Sequence, residues 1–128
     1  MKLEIQLASC ENVSVIRCRG RLVYGPETAE FVSAVRRALE TTKQIVLEMA
    51  DVMQIDSGGV GALGTAFTSA HNRGAKIKLA ALNPRVAEVL RITGLELLFD
   101  IRESESEAVT AFLAKETTRT QPILETIR

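Results

Sequence analysis

The sequence predicts a single α/β domain, a mixed β-sheet of about five strands with helices packed mainly on one face. Three observations predict it. Along the chain the apolar residues switch repeatedly between a period of two and a period near that of a helix, the mark of strands alternating with helices. The run Ile45-Val46-Leu47 is apolar on both sides, as in a central strand covered on both faces. Lys76 and Lys78 alternate with Ile77 and Leu79, which predicts a second, wet face for that part of the sheet. The chain has 128 residues, enough to bury a core without disulfides.

The elements follow in order. Leu3, Ile5 and Leu7 alternate with polar residues and make a first strand. Val13 to Arg19 makes a second, joined by a polar turn at Glu11-Asn12 and ended by Gly20, so a short antiparallel hairpin is expected. Pro26 suits the first position of a helix, where its missing N–H costs nothing. Phe31, Val35, Ala38 and Leu39 form that helix's apolar face. Ile45 to Met49 is the central strand, and Asp51–Gln54 carries the chain to a second helix starting near Ser57. Val60, Leu63, Phe67 and Ala70 are its expected buried stripe, with Gly74 as its stop. Lys76–Leu79 is a strand, and Asn83-Pro84 opens a third helix stopped by Gly94. Leu97 to Ile101 is a last short strand. Ser104 followed by Glu107 reads as a capping box for a fourth helix bearing Val109, Phe112 and Leu113. The domain is expected over residues 1–115, with residues 116–128 as a flexible tail.

Composition narrows the function. Sixteen Lys and Arg balance sixteen Asp and Glu, whereas nucleic-acid binders usually carry a basic excess. No stretch approaches the roughly 20 apolar residues of a membrane span. The alternation of Met1 to Leu7 does not fit a signal peptide. Two cysteines, Cys10 and Cys18, and a single histidine, His71, allow no disulfide framework or His-based metal centre. The expectation is a cytoplasmic binding module that needs no cofactor and is not an enzyme.

One segment does not read as scaffold. Gly58, Gly59, Gly61 and Gly64 crowd the first two turns of the second helix, although each helical glycine costs up to about 1 kcal/mol relative to alanine. Either another backbone comes close or the surface must stay small. On a helical wheel Gly58, Gly61, Ala62, Thr65, Ser69 and Asn72 oppose the buried stripe, and no charge appears before Arg73. An outer helix face normally carries charges. A small neutral face is one that another protein's helix can approach, or that a neighbouring element of the same domain covers.

Ser57 is the expected N-cap, worth around 1 kcal/mol. Its hydroxyl, followed by glycine, is also open to a kinase, and a phosphate there would change the surface more than the fold. The glycines lack the lysine and the spacing of a Walker loop. His71 lies fourteen positions beyond Ser57, about 21 Å along a helix, so it cannot activate Ser57 as a nucleophile.

Over roughly Leu3 to Ala114 the chain resembles the STAS domain of anti-sigma factor antagonists. The resemblance is carried by Gly20-Arg21-Leu22, Ile45-Val46-Leu47-Glu48-Met49 with Asp51-Val52, Ile55-Asp56-Ser57-Gly58-Gly59-Val60-Gly61, Leu82-Asn83-Pro84-Arg85-Val86 and Thr93-Gly94-Leu95. It implies that Ser57 is phosphorylated by a serine kinase of histidine-kinase-like ATPase fold that is also the anti-sigma factor. The unmodified protein would bind that partner, and a PP2C-type phosphatase would restore it after phosphorylation. The implied partner surface comprises Asp56, Gly58, Gly59, Gly61, Ala62, Thr65, Leu22, Val23, Tyr24, Asn83 and Pro84, with weak homodimerisation as a further contact. Two departures stand out: Gly58 replaces the motif's second Ser/Thr, and Arg21 and Val23 replace the Glu and Asp of a Gly-Glu-Leu-Asp turn. They leave room for a non-phosphorylated alternative, a stressosome-type scaffold or a subunit partnering a transporter ATPase.

Overall fold

In the computed structural model the backbone is described for residues 2–120 and the side chains for residues 2–114. Period-two alternation sets the first two strands, β1 (Leu3–Cys10) and β2 (Val13–Leu22), into an antiparallel hairpin turning at Glu11 and Asn12. Helix α1 (Pro26–Leu39) then crosses to β3 (Gln44–Ile55), and α2 (Ser57–Asn72) crosses to β4 (Lys76–Ala80). Helix α3 (Pro84–Thr93) and a 3-10 turn (Leu95–Leu97) lead to β5 (Asp100–Arg102), and α4 (Glu105–Thr120) follows. The sheet order is β1-β2-β3-β4-β5, with every pair but the first parallel. Parallel neighbours require crossovers, which is why a helix separates each later pair of strands. The central position expected of Ile45–Met49 is the one β3 occupies.

Three expectations are corrected. Gly20 does not end β2: the strand runs on to Leu22, and its pairing with β3 shifts register between Gly20 and Arg21. Gly20 has φ +106°, and a Cβ there would lie 2.0 Å from the Lys2 carbonyl oxygen, so the glycine marks an irregularity inside the strand. Asp51–Gln54 belongs to β3 and is not a crossing. The last strand is Asp100–Arg102, because Leu97 and Leu98 are exposed and only Phe99 of that apolar run is buried.

Strand alternation divides the core in two. Ile45, Leu47, Ile77 and Leu79 face the larger cluster, with Phe31 and Val35 of α1, Leu63 of α2 and Leu90 of α3. Val13, Val15, Val46 and Ala80 face the other side, where Ala108 and Phe112 of α4 cover them. Three helices thus lie on one face and α4 on the second. The face expected to be wet is therefore partly dry, and Lys78 is 5% exposed. Its Nζ lies 2.6 Å from an Asp100 carboxylate oxygen and 4.5 Å from the centre of the Phe112 ring. A buried ammonium needs such partners. Hydrogen bonds from Arg102 first, and from Lys78, hold the Asp100 carboxyl down to about 2. At the N-terminal end of α4 Arg17 makes a two-pronged pair with Glu105, at 2.6 and 2.7 Å, while Ser104 caps the helix by accepting from Glu107 N at 3.1 Å.

Cys18 is a small core residue, and burial pushes its thiol up to about 12. Among the described residues no helix is long and apolar enough to cross a membrane. Helix α4 continues to Thr120; the remainder of the expected tail, residues 121–128, lies outside the described residues.

Phe112→Ala is expected to destabilise the domain by about 3–5 kcal/mol, the cost of emptying a buried aromatic site, and to remove the ring beside Lys78. Urea unfolding checks this; an unchanged midpoint would mean that α4 contributes little to the second face.

Candidate functional site

The C-terminal end of β3 runs directly into α2, so whatever follows Ile55 is displayed at one end of the sheet. Asp56, not Ser57, is the N-cap of α2: its Oδ1 accepts from Gly59 N at 2.9 Å. Both carboxylate oxygens also accept from Tyr24 N at 3.1 Å. Aspartate and serine cap helices about equally well, so two adjacent candidates could not be separated by type. The extra bond to Tyr24, 32 positions away, separates them. These N–H donors, Gly59 first and then Tyr24, hold the Asp56 carboxyl below its ordinary value. Ser57 becomes the first residue of the helix, with an exposed side chain.

The four glycines of α2 divide into two pairs. A Cβ on Gly58 would lie 2.5 Å from Tyr24 Cβ and 2.7 Å from Tyr24 Cα, and one on Gly59 would lie 2.1 Å from the Leu22 carbonyl oxygen. Both are glycine because the segment between β2 and α1 presses on the helix. Gly61 and Gly64 meet nothing within 4 Å. Nothing inside the domain requires them to be small.

The buried side of α2 is rotated from the expected stripe. It comprises Gly59, Ala62, Leu63, Ala66 and Ala70, whereas Val60 and Phe67 are only half-buried. Ala62, assigned to the partner surface, is 5% exposed and belongs to the core. Small residues on this side let the helix pack closely on its neighbours. Leu22 and Val23 are likewise buried and shape the segment from beneath. Asn83 is half-buried: it caps α3 through Val86 N, and its amide donates to the Ala50 and Val52 carbonyls at 3.2 and 2.8 Å. It ties α3 to the end of β3. Gly58 and Gly59 are covered by Tyr24 and Leu22.

What remains outward of the expected surface is Tyr24, at 81% exposure, with Ser57, Gly61, Thr65 and Pro84, while Gly64 and Ser69 are half-buried. Met53, three residues before Asp56, is 58% exposed and was not among the expected site residues. Its alternation with Val52 in the extended β3 was the available signal. His71 lies far along the helix, exposed and stacked on Phe67, so no base stands beside Ser57 in the helix.

The site is therefore a helix start capped by the Asp56 carboxylate, with Ser57 and Tyr24 exposed beside it, on a mixed-sheet α/β domain. Residues 4–108 match the STAS domain family, and the chain belongs to it. It is 25% identical over 115 residues to an anti-sigma F factor antagonist of Paenibacillus polymyxa, covering 86% of this chain and 95% of that one. Its fold is similar to a Thermotoga maritima protein proposed to be an anti-sigma factor antagonist, with TM-score 0.76 and 24% identity over 84% of this chain and 92% of that one. It is also similar to the Bacillus anti-sigma factor antagonist SpoIIAA. For the unphosphorylated form the TM-score is 0.74 at 20% identity, over 87% and 97% of the two chains. For the phosphorylated form it is 0.68 at 20%, over 85% and 99%.

Gly58→Ser is expected to destabilise the domain, because the Tyr24 backbone must move, whereas Gly61→Ala should stabilise it by up to about 1 kcal/mol. Thermal melts of the two variants check the division. Asp56, with its carboxyl lowered in the fold, contributes stability above its unfolded value near pH 4 that is lost as pH falls further. The melting-temperature gap between wild type and Asp56→Asn should therefore narrow from pH 7 to pH 3; a constant gap would show that the charge of Asp56 is not what holds Tyr24 and Gly59.

Proposed function

We propose that this protein is an anti-sigma factor antagonist that docks a serine-kinase anti-sigma factor on the start of α2 and is switched off by phosphorylation at Ser57. The observation that carries the reading is the pair Gly61 and Gly64, open to within 4 Å and without a packing reason of their own. Their cost in helix stability is explained if a partner needs that surface flat. Tyr24, exposed at the start of the same helix over Gly58, is the type of residue that anchors interfaces, and the similarity to an anti-sigma F factor antagonist supports the class of partner.

The position of Ser57 supports the switch. Asp56 already occupies the N–H of Gly59, so a phosphate on Ser57 would not simply fill a vacant anion site. It would add up to about two negative charges next to a carboxylate. Burying such charge unpaired in a neutral interface costs several kcal/mol. That SpoIIAA has both an unphosphorylated and a phosphorylated form supports reading Ser57 in the same way. The Gly58 departure fits too, since Tyr24 fills the space of the missing side chain. In this reading the kinase has the histidine-kinase-like ATPase fold, a PP2C-type phosphatase reverses the modification, and both meet the protein in the cytoplasm.

Because Ser57 is not the cap, Ser57→Ala should leave stability within about 0.5 kcal/mol of wild type and still bind the kinase. Ser57→Asp should stay folded and bind more weakly. Thr65→Lys and Gly61→Lys should also weaken binding with little change in melting temperature. Titration of the variants against a serine-kinase anti-sigma factor of histidine-kinase-like ATPase fold, with intact-mass analysis after ATP addition, tests the reading. Equal affinity of wild type and Ser57→Asp, with no phosphate gained, would leave a scaffold module in its place.

A further inference from the structure

The opposite pole of the sheet carries a second feature. Strands β3 and β4 are parallel, with Gln44 paired to Lys76, so the segments that enter them lie side by side. One brings Lys43 and the other Arg73 and Lys76. The two are joined by a backbone bond, Lys76 N to the Lys43 carbonyl at 2.9 Å, and the Lys43 ammonium donates to the Arg73 carbonyl. Between them opens a cavity of about 710 Å³, within the size range of small-molecule sites.

Its charge is one-sided. Lys78 at its inner wall is neutralised by Asp100, but Lys43, Arg73 and Lys76 have no ion-pair partner among the described residues, and Glu40 is the one carboxylate in the described lining. A chain of zero net charge has gathered at one opening three cations with no ion-pair partner among the described residues. Like charges repel, and a concave site concentrates their field on an anion. The lining also holds the Gln44 side chain, whose buried Oε1 has no hydrogen-bond partner. Leu39 and the Phe112 ring supply apolar wall.

We propose that this cavity binds a small organic anion carrying phosphate or carboxylate groups, held by Lys43, Arg73 and Lys76, with its apolar part against Phe112. The site is separate from Ser57, at the other ends of the same strands, and does not depend on the phospho-switch. Calorimetric titration of the full chain with inorganic pyrophosphate, and in a second arm with citrate, tests it. One saturable site is expected for at least one probe, weakened about tenfold or more by Lys76→Glu and changed less than about twofold by Arg85→Glu, a like charge reversal outside the cavity. The tighter probe identifies the head group. Lys76 is exposed, so its variant should fold; Lys43→Gln, with folding checked by circular dichroism, provides the same comparison without charge reversal. Absence of saturable binding by both probes, or equal losses in Lys76→Glu and Arg85→Glu, would overturn the proposal.

Discussion

The Asp56 carboxylate is the point on which the junction between β2, β3 and α2 depends. Its Oδ1 caps α2 by accepting from Gly59 N, and both of its oxygens accept from Tyr24 N. One charged group therefore sets the start of a helix and the position of a segment 32 residues earlier. Hydrogen bonds to a charged acceptor are stronger than neutral ones, which suits a junction that must hold without much buried area. The two glycines beneath Tyr24 and Leu22 are a consequence of that junction. With the segment drawn in so closely, residues 58 and 59 have no space for a side chain.

That constraint sorts packed from displayed residues in the segment. Residues that face the junction or the core, Gly58, Gly59, Ala62, Leu22 and Val23, build the platform. Residues that face outward, Tyr24, Ser57, Gly61 and Thr65, are displayed by it. The division also accounts for one departure from the family pattern, Gly58. Gly58 and Tyr24 are one steric unit, since the space a residue-58 side chain would occupy holds the Tyr24 backbone and Cβ. A change at one of these positions is tied to the other.

The parallel arrangement of β2 through β5 gives the domain two chemically different ends. The ends where β2 and β3 finish carry the α2 start, capped by the Asp56 carboxylate, and Tyr24. The ends where β3 and β4 begin carry the basic cavity. Between them α4 closes the second sheet face through a few apolar residues and one ion pair, Arg17 with Glu105, while Lys78 pairs with Asp100 of the neighbouring strand β5 beneath it. This packing makes a buried lysine tolerable, because a carboxylate and an aromatic face meet it together.

Periodicity alone determined the order of the elements, the central place of β3, the start of α1 at Pro26, the cap at Asn83 and the stops at Gly74 and Gly94. These depend on local rules: alternation, capping and the φ > 0 that glycine accepts. The Asp-Ser-Gly segment also stood out, because four glycines in one helix violate a local rule. Only the tertiary structure decided what each glycine was for, since Gly58 and Gly61 look alike in sequence and differ by what lies above them. It likewise chose Asp56 over Ser57 as the cap, through a bond from Tyr24 that sequence spacing cannot reveal. It turned Ala62 inward by a small rotation of α2, and it buried Lys78, whose alternation read as solvent-facing, because α4 arrives from 30 residues later in the chain. Contacts between distant segments decided each of these, and no local pattern records which segments will meet.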